Sequence, residues 1–118
     1  AHDSHNIITV GTNDEDMAFA VKNLIEQSGG IILVKDRKVI NSMPMVVGGI
    51  MSDKTGEWVS EKLTRIHEDA YGRLGVCREV EPVMTLCFMS LAVIPEIKLT
   101  DMGLFDVTKF AFIPIGAE

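Results

Sequence analysis

Five apolar residues, Val59, Leu63, Ile66, Ala70 and Leu74, recur at intervals of four, three, four and four, and this stripe constrains the fold more than any other feature. At 3.6 residues per turn those intervals hold the side chains on one face of a helix. The stripe predicts a helix from about Gly56 to Leu74, with Ser52 and Asp53 as candidate caps and Gly75 as the stop. An amphipathic helix must lay its apolar face on another element, so a sheet is expected beneath it.

The first half of the chain supplies candidates for that sheet. Asn6 to Thr12 is a β-branched run ending near glycine and reads as a strand. Thr12 stands three residues before Glu15, the spacing of a capping box. A helix should follow over about Asn13 to Gln27, with Met17, Val21, Leu24 and Ile25 at helical spacing and Gly29 and Gly30 ending it. Ile31–Val34 and Lys38–Asn41 flank a polar Lys35-Asp36-Arg37 turn, the pattern of a hairpin. Pro44 and the Gly48-Gly49 pair turn Met43–Met51 into an edge segment that becomes a loop. Met84–Leu91 fits a buried strand or a short buried helix equally well, because periodicity cannot separate them. Turn residues follow at Thr100-Asp101-Met102-Gly103, and Lys109–Ile115 reads as a last strand. The expectation is a single α/β domain over residues 1–118, with α+β as its variant. Its form would be a two- or three-layer sandwich in which two main helices pack a mixed β-sheet.

Composition removes several classes of function. A formal charge of −6, from 11 basic and 17 acidic residues with no basic run, argues against a phosphate-tracking nucleic-acid surface. No apolar run reaches the roughly 18 residues of a membrane span; Thr85 and Ser90 interrupt the longest one, Met84 to Pro95. No segment at the start reads as a signal peptide, and Ala1 in place of Met suits a processed or excised chain. Cys77 and Cys87 lack metal-ligand spacing and fit a reducing, cytoplasmic setting.

Ala1-His2-Asp3-Ser4-His5-Asn6 is the one dense cluster of residue types that carry chemistry. His2 and His5 could exchange protons or bind a metal, and Asp3 could orient an imidazole or accept from a substrate amine. A solvated tail is the competing reading of such a terminal mixture. His67 stands alone on its predicted helix and reads as a surface histidine. Gly48-Gly49-Ile50-Met51-Ser52-Asp53 lacks the Gly-Lys-Ser/Thr ending of a phosphate loop and reads as a structural turn. Cys87 has no basic neighbour to activate it, and the seven methionines read as packing material.

Two stretches carry a family resemblance. AHDSHNIITVGTNDEDM at the start and PVMTLCFMSLAVIPEIKLTDMGLFDV near the end are similar to the carboxy-terminal domain of bacterial adenine deaminases, in the amidohydrolase superfamily. GGIILVKDRKVI and GGIMSD lie between them in the family's order, so the resemblance runs from Ala1 to about Val107. Ala92 stands where the family often has proline, and Met102 where it often has a basic residue.

The resemblance implies an enzyme that hydrolyses adenine to hypoxanthine and ammonia on a dinuclear manganese or iron centre. That centre would sit on an amino-terminal (β/α)₈ barrel, and the full-length enzyme would be a homo-oligomer. A barrel of this type takes about 250 residues, and the superfamily's His-X-His metal motif is absent here, since His2 and His5 are three apart. The resemblance therefore implies an accessory domain that covers or supports the barrel, with no metal or cofactor of its own and no activity in isolation. It further implies that His2, Asp3, His5 and Asn6 face the active site of the full-length enzyme. The alternatives are a stand-alone small-molecule binding or interaction module and a small metallohydrolase using His2, Asp3 and His5.

Overall fold

The second helix forms where its stripe requires. In the computed structural model, which describes residues 1–116, it spans Gly56–Gly72 and is capped by Thr55, whose hydroxyl accepts from the Trp58 N–H at 3.3 Å. The expected caps lie just outside. Ser52 is spent on a turn, its hydroxyl accepting from the Lys54 N–H. Ile66 and Ala70 are buried, and Val59 and Leu63 are half-buried. Leu74 is 37% exposed, which corrects its place in the stripe. The helix stops at Gly72, so Leu74 has left the helical register before it could reach the core.

Eight elements follow one another along the described residues. They are α1 (Asp14–Glu26), β1 (Gly30–Lys35), β2 (Lys38–Pro44), α2 (Gly56–Gly72), α3 (Pro82–Cys87), β3 (Ile97–Thr100), β4 (Gly103–Asp106) and β5 (Ala111–Ile113). The strands form two antiparallel sheets, β1-β2 and β3-β4-β5. Helices and strands combine as expected, in the α+β form, but two separate sheets replace the single mixed one. The chain divides into two compact units, Thr9–Val83 and the pair Ala1–Ile8 with the chain from Met84 onward.

In the unit Thr9–Val83, α1 packs on β1 and α2 chiefly on β2. Asn13 is the cap of α1, its side-chain oxygen accepting from the Asp16 N–H at 2.8 Å. The expected Thr12–Glu15 box is thus replaced by its neighbour, a stronger capping residue. At the other end the Gly29 N–H bonds to the Leu24 carbonyl and the Ser28 N–H to the Ile25 carbonyl. This is a Schellman ending, and its left-handed position falls on Ser28 (φ 67°) rather than on a glycine. Gly30 (φ 107°) then lets β1 pass close to β2: a Cβ there would lie 2.1 Å from the Met43 carbonyl oxygen.

The β1-β2 hairpin turns through Asp36 and Arg37, both left-handed at φ 53° and 55° with no glycine between them. The Asp16 carboxylate, in the first turn of α1, accepts from both of their N–H groups, at 3.1 and 2.7 Å. These bonds, the Arg37 N–H foremost, hold the Asp16 carboxyl below its ordinary range. Met43 on β2 is buried beside Ile66 and Ala70 in the set of apolar residues that lose nearly all solvent contact. The Gly48-Gly49 segment is a turn, as read: a Val47↔Met51 bridge closes it, and the Gly30 N–H donates to the Gly49 carbonyl.

In the unit Ala1–Ile8 with the chain from Met84, β3, β4 and β5 form a meander with Ile97 opposite Asp106 and Phe105 opposite Phe112. Phe105 meets Phe110 and Phe112 edge to face, at centroid distances of 5.3 and 5.2 Å. Asp106 is nearly buried at the end of β4. Its carboxylate accepts from the Lys109 N–H at 3.0 Å, and this bond is the chief reason its carboxyl is held below the ordinary range. The ambiguous Met84–Leu91 stretch proves to be the end of α3 followed by a turn. The helix begins on Pro82, whose missing N–H costs nothing at a first helical position.

The predicted strand at Asn6–Thr12 does not form. β-branched residues favour a strand only where a ladder partner and a half-buried face are available. Here Ile7 and Val10 are exposed and no strand pairs with the segment. Among the described residues no helix is long and apolar enough to cross a membrane.

Candidate functional site

The hexapeptide Ala1–Asn6 is a turn rather than the lead-in to a strand. His5 is left-handed at φ 51°, and its N–H donates to the Ala1 carbonyl at 2.9 Å, closing the loop on itself. The side chains then sort into two sets. His2, Asp3 and His5 are exposed. His2 Nε2 lies 3.4 Å from Asp3 Oδ2, and the His2 ring meets the Phe88 ring edge to face at 5.7 Å. An imidazole beside a carboxylate, with its ring orientation set by an aromatic neighbour, is a workable proton-exchanging pair.

Ser4 and Asn6 form the second set, and both reach Ser90. The Ser4 hydroxyl donates to Asn6 Oδ1 at 2.7 Å and lies 2.9 Å from Ser90 Oγ. Asn6 Nδ2 donates to Ser90 Oγ at 3.0 Å. Ser90 is 8% exposed, a buried hydroxyl whose hydrogen-bonding capacity is met by the loop. Of the four residues proposed for the site, the structure thus brings His2 and Asp3 into a pair and leaves His5 on the same exposed turn. The amide of Asn6 is committed to Ser4 and Ser90.

Ser4 and Ser90 are the residues that sequence reasoning passed over. Ser90 carried a usable signal: a hydroxyl interrupting an apolar run must find a partner if the run is buried. Nothing in the sequence says that the partner lies 84 residues upstream.

Among the described residues no group of three or more His, Cys, Asp or Glu side chains is placed to hold a metal ion. The described side chains therefore do not supply the ligand set that a dinuclear manganese or iron centre needs.

A second cluster lies in the unit Thr9–Val83. His67 is paired with Glu81 and stacked on Tyr71, whose hydroxyl donates to the Val80 carbonyl. Arg78 lies over the Tyr71 ring at 5.6 Å. His67 is thus only 27% exposed and holds the 78–81 segment, which corrects its reading as a plain surface histidine. Cys77 and Cys87 are free thiols. The open recess lined by Asn13, Glu15, Asp16, Asp36 and Arg37 has its central carboxylate occupied by the hairpin turn.

These features define an α+β fold that displays a His/Asp loop and has no group of three or more metal-ligating side chains among its described residues. A family model described as the adenine deaminase C-terminal domain matches residues 1–111, and the chain belongs to that family. It is 68% identical over 117 residues to adenine deaminase 2 of Desulfotalea psychrophila, covering 99% of this chain and 20% of that protein. Adenine deaminase of Halalkalibacterium halodurans is 53% identical over 113 residues, covering 96% and 19%, and that of Clostridium acetobutylicum is 45% identical over 113 residues, covering 96% and 20%. The chain therefore spans about a fifth of the length of these relatives. No solved structure matches it.

Proposed function

We propose that this chain is the accessory C-terminal domain of an adenine deaminase, in which the full-length cytoplasmic enzyme hydrolyses adenine to hypoxanthine and ammonia. The observation that carries the reading is the combination of family membership with coverage of only a fifth of each relative. The manganese or iron expected for the reaction would be held by the rest of the protein, since the described residues here offer no ligand set. Exposed apolar side chains support a docked partner domain. Ile97 and Leu99 share one face of the β3-β4-β5 sheet, and both are about half exposed. The partner is the protein's own amino-terminal barrel.

In this reading His2, Asp3 and His5 face the barrel's active-site mouth. Adenine presents ring nitrogens that accept and an exocyclic amine that donates, and imidazole and carboxylate groups suit that edge. Alanine substitution of each in the full-length protein tests the assignment. A site role lowers turnover at least tenfold, about 1.4 kcal/mol per decade, while melting temperature and metal content hold. Unchanged turnover in all three variants removes the loop from the active site. The isolated chain is expected to release no ammonia from adenine, with or without added manganese. Release at a rate near that of a complete deaminase contradicts the accessory role.

A further inference from the structure

We infer that Ser90 is a positioning residue for the His2/Asp3/His5 loop, acting through a ring of hydrogen bonds that it closes with Ser4 and Asn6; the inference rests on the active-site reading of that loop. Each hydroxyl has one hydrogen to give. Ser4 gives its hydrogen to Asn6 Oδ1 at 2.7 Å, and the Ser90 hydroxyl hydrogen faces two acceptors, Ser4 Oγ at 2.9 Å and Asn6 Oδ1 at 3.3 Å. Ser90 Oγ in turn accepts from Asn6 Nδ2 at 3.0 Å. Ser90 thus both donates to and accepts from the loop, in a closed set of linked bonds that polarise one another.

Ser90 is the only corner of this ring that is nearly buried, and it is itself fixed. It lies in the turn after α3, where the Leu91 N–H donates to the Phe88 carbonyl and the Leu99 N–H of β3 donates to the Met89 carbonyl at 3.0 Å. The same turn carries Phe88, the ring against which His2 rests. One short segment, residues 88–90, therefore holds the loop at Ser4 and Asn6 and meets the His2 ring edge to face. Tying Ser4 and Asn6 to Ser90 leaves His2, Asp3 and His5 displayed from a turn with little freedom to reorganise. Such pre-ordering is what a positioning contact contributes to turnover.

The test uses the full-length protein and two independent readouts. Hydrogen–deuterium exchange of the peptide covering residues 1–8 reports loop order, and steady-state kinetics on adenine report function. Ser90→Ala should speed exchange across residues 2–6 at least tenfold with other peptides unchanged. It should also lower kcat by about as much as the strongest of His2→Ala, Asp3→Ala and His5→Ala, with KM within about twofold. Ser90→Thr, which keeps the hydroxyl, should restore both. Asn6→Ala, at an exposed corner of the ring, should reproduce the effect if Ser90→Ala fails to fold. Unchanged exchange in Ser90→Ala or Asn6→Ala overturns the inference and leaves the loop's active-site role standing on its own substitutions. Faster exchange with full turnover, while the His2, Asp3 or His5 variants lose activity, also overturns it. Faster exchange with no loss of turnover in any of these variants overturns the active-site reading and the inference together.

Discussion

Replacing Ile66 with alanine should be among the costliest single truncations in the chain, and its cost can be worked from the structure. The side chain has no solvent exposure, and among the described residues it shares such burial with one other large side chain, Met43. Three carbons are removed, each worth about 0.8 kcal/mol of transfer free energy, or about 2.4 kcal/mol in all. If half the vacated volume stays open, a cavity of roughly 40 Å³ adds about 1 kcal/mol at ~24 cal/mol per Å³. Alanine's better helix propensity returns about 0.4 kcal/mol. The expected loss is about 3 kcal/mol, a large share of the roughly 5–15 kcal/mol that stabilises an ordinary domain. Urea unfolding followed by the fluorescence of Trp58, the chain's one tryptophan and a residue of α2, measures it directly. The m-value should be unchanged if only the folded state is affected. Leu74→Ala is the internal control. It belongs to the same sequence stripe, but Leu74 is 37% exposed and should lose under about 1.5 kcal/mol. Equal costs for the two variants, or a loss under about 1 kcal/mol for Ile66→Ala, would refute the placement of the core.

Backbone geometry and one carboxylate supply three further expectations. Ser28→Gly should raise stability by about 1 kcal/mol in the same assay, because Ser28 occupies the left-handed position of the α1 ending at φ 67°; a loss would mean its side chain matters more than its backbone. Gly30→Ala should destabilise by more than about 2 kcal/mol, since a Cβ at φ 107° would meet the Met43 carbonyl oxygen at 2.1 Å, and wild-type stability would show that β1 and β2 can separate there freely. The Asp16 carboxyl is lowered from its ordinary 3.8, chiefly by the Arg37 N–H. Its contribution is therefore complete above pH ~4 and lost as pH falls through the folded-state value. Asp16→Asn should flatten that part of the acid limb of stability against pH, and parallel curves for the two proteins would exclude it.

The legible parts of the fold are those written locally. The stripe of α2, the apolar spacing of α1 and the runs flanking Lys35-Asp36-Arg37 each need only a helix or strand period to be read. Ends were less legible because neighbours compete: Asn13 displaces Thr12 as a cap, and Ser28 takes a position that the Gly29-Gly30 pair suggested for glycine. The Asn6–Thr12 run has strand propensity without a strand, because pairing is a property of the partner and not of the run. The loop His2–Asn6 stood out by residue type alone. Its anchor did not, since Ser90 becomes meaningful only when the chain folds it against Ser4 and Asn6.

The carboxylate bridge from α1 to the hairpin tip also bears on strand register. Two strands joined by a short turn, with a register shift already present between Leu33 and Val34, have little in themselves to stop them sliding by one residue. A slip would bring different N–H groups to the tip and turn the outward face of each strand inward. Asp16 can accept from Asp36 and Arg37 together in only one alignment, so the start of a helix 20 residues away acts as a stop against slippage. Sequence changes within the strands that preserve their apolar pattern should therefore be tolerated more readily than insertion or deletion of a single residue between Asp16 and Arg37.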